Sequence, residues 1–199
     1  MSVNGAGAAR TAHVNMMTDT VITNLPSNGL RSIIRAQLAR DPEFTSFFLS
    51  QARDYLETTS TPATEPLFID ISTKAPKPSP EFDRSQKRAR SMMGCGLVFE
   101  SLRLLERVVR EAEQLMWDEE TEEGEFIMDQ LATIDGDIVQ GVTAVQKVLS
   151  GSNGTRELSA SEKEVVDILK ETLVSCQSNA EVKGLEFMFE RGLASLDAL

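Results

Sequence analysis

Leu30, Ile33, Ile34 and Leu38 fall at i, i+3, i+4 and i+8, so the stretch "NLPSNGLRSIIRAQLARDPEF" opens with one apolar face of a short helix. Pro42 disfavours helical backbone at the residue before it and stops that helix near Arg40. A second helix follows at once. Asp41 is a good N-cap, Pro42 sits where its missing N–H costs nothing, and Glu43 favours the positive helix end. Phe44, Phe47, Phe48, Ala52 and Tyr55 then recur at helical spacing. Four aromatics on so short a face predict burial in an internal core, with a dimer interface as the other use of such a face.

Residues 57–83 hold five of the chain's seven prolines and no helical period, which predicts an extended, proline-rich linker. Within it "LFIDIS" alternates like a short strand, but a lone strand has no partner, so docking on the helices is expected. From Arg84 to Trp117 the pattern predicts the longest helix. Val98, Leu102, Leu105, Val109, Ala112 and Met116 form one stripe, and Leu97, Leu104, Val108 and Leu115 a second, as befits a central helix touched on more than one side. The glycines of "MMGCG" at 92–96 either allow a close crossing or mark a bend, and close packing is preferred there to a reactive-thiol role for Cys95.

A further helix over 122–149 places Ile127, Leu131, Ile134, Ile138, Val142, Val145 and Leu149 inward, with Gly151 suited to a left-handed C-cap. "SASEKE" offers two overlapping capping boxes, Ser159 with Glu162 and Ser161 with Glu164. The helix they open carries Val165, Leu169, Leu173 and Cys176, and continues or breaks near Ser178. A last run sets Val182, Leu185, Phe189, Leu193 and Leu196 on one face. The expected fold is all-α: a bundle of five or six amphipathic helices with a flexible N-terminal arm at 1–25, a helical hairpin and dimerisation element at 26–56, the linker at 57–83 and the bundle proper at 84–199.

Charge is divided unevenly. The net charge is −11; residues 1–110 carry +3 and residues 111–199 carry −14, so the second half repels phosphate backbones and nucleic acid is not an expected partner. The exception is basic, with Arg84, Lys87, Arg88 and Arg90 close together, fit for an acidic partner or for the acidic half of the same chain. No window reaches the roughly 18 apolar residues of a membrane span, and the opening lacks a secretory core, so an intracellular location, cytoplasmic or nuclear, is expected. Cys95 and Cys176 suggest buried thiols rather than a disulfide framework. "NGT" at Asn153 reads as a turn rather than a glycosylation acceptor.

The chemistry-bearing residues are few. The sole histidine, His13, lies in the expected arm, which removes the usual Ser–His and Cys–His arrangements, and no phosphate-binding loop occurs. No catalytic residue, metal ligand or cofactor is therefore assigned. Asp118, Glu119, Glu120, Glu122, Glu123 and Glu125 form an acidic surface beside Trp117, the only tryptophan. Acids are unfavourable at a helix C-terminus and favourable at an N-terminus, so the cluster predicts a corner: one helix ends near Trp117 and the next starts within "TEEGE", capped by Asp118 or Thr121. The indole N–H is expected to reach water or a carbonyl there.

The segment 24–44, the helix "ESLRLLERVVREAEQLMWD" with its tryptophan corner, and the helix after it resemble the fungal nuclear proteasome-tethering factor family over about residues 24–145. The resemblance implies an N-terminal helical dimerisation region followed by a helical bundle, in a non-enzymatic nuclear protein that holds proteasomes near the nuclear envelope. The family's lysine-rich N-terminal segment has no counterpart, since Arg10 is the only Lys or Arg in residues 1–30, and acids replace its His-Asn after the corner. The function expected from all of this is non-enzymatic protein–protein interaction or scaffolding. Its partner-binding residues would be Phe44, Phe47, Phe48, Tyr55, Arg84, Lys87, Arg88 and Arg90, and its partner another protein or a second copy. The alternative is a carboxylate-lined bundle using Glu100, Asp129 and Asp135 to hold a metal or small ligand, although a di-metal bundle also wants Glu-x-x-His.

Overall fold

The computed structural model describes residues 18–59, 65–73, 75–151 and 156–199. Over these the protein is all-α apart from one pair of two-residue strands. The chain divides into two units, Met1–Gln51 and Ala52–Leu199. In the first, residues 18–24 are helical, against the arm expected there; the rest of that arm, with Arg10 and His13, lies outside the described residues. Helix α1 (Ser27–Arg40) follows, and α2 (Pro42–Thr58) begins in the first unit and ends in the second. The expected cap is formed: Asp41 Oδ1 accepts from the amides of Glu43 and Phe44, both at 3.0 Å.

The second unit opens with the proline-rich segment, which is shorter than expected because α2 runs to Thr58 and α3 (Pro80–Gly94) starts before Arg84. Its strand has a partner after all. β1 (Phe68–Ile69) pairs antiparallel with β2 (Lys77–Pro78), with Phe68 opposite Pro78 and Ile69 opposite Lys77. The ladder tolerates Pro78 because no bond in it requires that residue's N–H; Ser79 N donates to Leu67 O at 2.8 Å instead. The segment also docks on the helices, as expected. Glu111 accepts from Leu67 N at 2.7 Å and Arg107 donates to Glu65 O at 2.5 Å. Leu67, Phe68 and Phe82 then enter the core, with the two rings 5.3 Å apart.

The helix expected over 84–117 is two helices. After α3 the chain turns at Cys95, Gly96 and Leu97, and α4 (Val98–Ala112) packs back against α3. Gly96 has φ of +87°, a left-handed conformation that Gly adopts without penalty and that no helix continues through. The glycines therefore mark a reversal rather than a close crossing of one rod. α4 stops at Ala112, five residues before Trp117, and residues 113–121 form the corner as an irregular loop. Glu113 pins that loop to a later helix: its carboxylate accepts from Ser175 Oγ at 2.8 Å and from Asn179 Nδ2, while Lys183 Nζ donates to the carbonyls of Glu113 and Leu115.

α5 (Glu122–Leu149) starts within "TEEGE" and is capped by Thr121, whose Oγ1 accepts from Gly124 N at 3.1 Å. Six residues of the expected stripe, Ile127 through Val145, are buried, and Leu149 packs half-buried against them. The helix ends at Ser150 with φ of −92°, so Gly151 is not a left-handed cap, and Asn153 lies outside the described residues. α6 (Ala160–Lys183) opens with the Ser159–Glu162 capping box alone and runs unbroken past Ser178. Gly184, at φ +69°, ends it, and Leu185 N reaches back to Ala180 O at 2.9 Å. The last helix, α7 (Glu190–Asp197), is shorter than the pattern implied; Val182 lies on α6 and is 86% exposed.

One apolar core runs through α3 to α7, with Leu102, Leu105, Leu115, Ile127, Ile134, Leu169 and Phe189 among its fully covered side chains. Each such burial contributes on the order of 1.5–3 kcal/mol. Among the described residues no helix is long and apolar enough to cross a membrane.

Candidate interaction surface

α1 and α2 contain no buried residue. The apolar face read from the sequence is present, but the structure overturns its assignment to an internal core. Ile33 is 57% exposed and Phe47 61%, while Tyr55 is exposed and Phe44 and Phe48 are half-covered. Within the first unit no described residue closes over this face, so α1 and the part of α2 up to Gln51 stand without the packing that normally stabilises such helices. Local bonds hold the junction instead. Thr45 Oγ1 lies 2.9 Å from Leu38 O and 3.0 Å from Asp41 O.

Only the C-terminal end of α2 is anchored within the second unit. Ala52 and Leu56 pack half-buried against Met92, Cys95 and Leu97. Arg53 donates through Nε and Nη2 to Cys95 O at 3.2 and 2.8 Å, and a side chain at Gly96 would meet Arg53 Nη2 at 2.9 Å. Arg88 donates to the carbonyls of Leu56 and Thr59 at 2.5 and 3.2 Å.

Of the two uses expected for the basic stretch, pairing within the chain is seen for three of its four residues. Arg84 pairs with Glu65 at 2.6 Å and Glu81 at 3.0 Å. Arg88 closes the end of α2, and Arg90 Nε lies 2.8 Å from Asp137 Oδ1. Lys87 alone of the four is exposed without a recorded polar partner among the described residues. The acidic half of the same chain thus takes up part of this charge.

The acidic corner is equally divided. Asp118 shapes the turn: its carbonyl accepts from Thr121 N and Oγ1, and Gly124 lies so close that a Cβ there would sit 1.9 Å from Asp118 O. Glu119 accepts from Glu186 N at 2.9 Å. Glu122, Glu123 and Glu125 occupy the first turn of α5, where the helix dipole favours them, and Glu120 is exposed. Trp117 is buried, and among the described residues no carbonyl accepts from its Nε1.

Two carboxylates, one of them (Asp135) a member of the ligand-binding alternative, are the most deeply buried charges among the described residues. Asp135 and Asp137 are each 2% exposed on α5. Asp135 accepts from Arg191 Nε and from Gly192 N, both at 2.7 Å; Asp137 accepts from Arg90 Nε and from Gln86 Nε2 at 3.2 Å. They point to separate arginines and tie α7 and α3 to α5. Glu100 and Asp129 are exposed and Asp135 is committed to its own pair, so the three carboxylates of the ligand-binding alternative do not converge. Among the described residues no three His, Cys, Asp or Glu side chains are placed to share a metal ion.

Both cysteines are buried and unpaired, as the sequence suggested. Burial, helped by the charge of Glu113, pushes the Cys176 thiol up to about 11, which keeps it protonated and unreactive. At the start of α6, the Arg156 guanidinium bonds Glu162 through both oxygens at 2.8 Å and, with Ser159 N, holds that carboxyl down to about 2.

Comparison with protein-family models, with curated proteins and with solved structures finds no match for this chain.

Proposed function

We propose that this chain is a non-enzymatic interaction or scaffold protein that works through the apolar face of α1 and α2. The observation behind the reading is the exposure of that face: Ile33, Ile34, Phe47 and Leu49 are left uncovered while a separate core in the second unit is filled. Scattered exposed apolar residues need no explanation, but a periodic aromatic and aliphatic stripe on consecutive helices is the kind of surface that protein partners bury. In this reading α3 to α7 form a five-helix bundle that serves as the rigid body, and the N-terminal helices carry the contact. The occupant is another protein or a second copy of the chain, inside the cell, in cytoplasm or nucleus.

The resemblance to the proteasome-tethering family supports the same division of labour, with dimerisation ahead of a helical body. Two measurements test the reading. Light scattering on the purified chain and on Ile33→Glu/Phe47→Glu reads self-association, and affinity capture from cells with the same pair reads other partners. Loss of a dimer, or of a reproducible partner, in the double variant is expected. A wild-type monomer that captures nothing the variant does not also capture would overturn it. Proteasome subunits among the wild-type partners would support the family reading, and their absence would remove it.

A further inference from the structure

A groove of about 630 Å³ lies wholly within the second unit, between the proline-rich segment and the start of α5. It is independent of the α1–α2 face. One wall is the run Pro76, Lys77, Pro78, Ser79, Pro80, and the other is α5, with Glu122, Glu123 and Phe126 one turn apart. Asp83, in the first turn of α3, closes the groove.

The chemistry of the walls is one-sided. Three of the five residues in the run are prolines and have no N–H, and Ser79 spends its own on Leu67. Apart from Lys77, the wall therefore offers mainly rings and carbonyls. Phe126 is 50% exposed and faces the groove as its one aromatic side chain. Asp83, Glu122 and Glu123 have no recorded salt bridge or side-chain hydrogen bond among the described residues, unlike Asp118 and Glu119. Their charge is partly offset by Lys77 and by the positive ends of α3 and α5, worth about half a charge each. Three acids against that sum leave about one negative charge to be neutralised.

A single cation with many donors and a flat apolar body fits such a site. We propose that the groove binds an extended peptide segment of a protein partner through one arginine. The guanidinium meets Glu122, Glu123 and Asp83 while its plane and stem lie on Phe126 and Pro78. Arginine suits the walls better than lysine, since its planar fork bonds two carboxylates at once and stacks on aromatic rings.

The test is a titration of the isotope-labelled full chain, followed by amide resonances, with the capped tripeptide leucyl-arginyl-leucine. Saturable shifts confined to the amides around Lys77, Ser79 and Phe126 are expected. Binding should fall at least tenfold in Glu122→Gln/Glu123→Gln, and the tripeptides with lysine or citrulline in place of arginine should bind at least threefold more weakly. The charge-matched variant Glu164→Gln/Asp167→Asn, on the exposed side of α6, should bind as the wild type does. Circular dichroism confirms that each variant is folded. The proposal is overturned by shifts that never saturate, by equal loss in the charge-matched variant, or by equal binding of the lysine peptide.

Discussion

The buried Asp135 acts as the cap of a helix on which it does not lie. α7 begins at Glu190, its N-cap position is Phe189, and no side chain at that end caps it. Gly192 N, in the first turn, is met instead by Asp135 Oδ1 at 2.7 Å. Removing the carboxylate in Asp135→Ala breaks a bond to a charged acceptor and leaves a buried amide without a partner; together these cost about 3 kcal/mol. Arg191 contributes less of this, because only its own side chain is exposed, at 68%, and on its removal water can reach Asp135 Oδ2 and take its place. Asp135→Asn keeps an acceptor for Gly192 and should cost about 1 kcal/mol. The order expected from urea unfolding followed by circular dichroism is Asp135→Ala well above both Asp135→Asn and Arg191→Ala. For a domain of this size the alanine variant should lower Tm by roughly 6–12 °C. An Arg191→Ala variant as damaging as Asp135→Ala would show that the ion pair, not the trans cap, holds α7, and the reasoning would fail.

Three further outcomes are expected. Gly124→Ala drives a methyl into Asp118 O and should cost several kcal/mol or abolish folding, whereas Gly141→Ala meets only the movable Leu102 Cδ2 at 2.7 Å and should cost about 1–3 kcal/mol, both read by chemical denaturation. Because the folded Glu162 carboxyl titrates near 2, below its ordinary 4.5, its contribution is complete above about 4.5 and disappears as pH falls toward 2. The stability gap between wild type and Glu162→Gln should therefore close over that window, modestly in size because the pair is solvent-screened; a gap that is flat from pH 6 to 2 would contradict it. Neither cysteine should react with a thiol reagent in the native protein at pH 8, and both should react in denaturant; rapid native labelling would refute their burial.

The helical elements were legible where caps and apolar stripes agreed. The α5 stripe and the Ser159–Glu162 box are examples, because each rests on local chemistry. The start of α3 was equally legible but missed: Ser79-Pro80-Glu81-Phe82 repeats the cap, proline, acid and aromatic pattern of Asp41-Pro42-Glu43-Phe44. Five prolines between 57 and 83 give the same stretch the composition of a linker. What sequence could not reveal was which apolar face finds a partner. Phe44, Phe47 and Phe48 have the same periodicity as Leu102 and Leu105, yet Phe47 is exposed and the other two rings only half-covered, while both leucines are sealed. The pairing of Arg90 with Asp137, 47 residues apart, was hidden for the same reason. The groove escaped notice because its two walls come from segments that read separately as linker and helix cap.

The reversal at Gly96 has a topological consequence. Helix-forming residues dominate both of its flanks, and without the turn Pro80 to Ala112 would be one rod about 50 Å long at 1.5 Å per residue. In such a rod α3 could no longer fold back onto α4, and the packing between the two helices would be lost. The reversal thus depends on one left-handed residue, and a side chain there would carry backbone strain as well as meet Arg53 Nη2 at 2.9 Å.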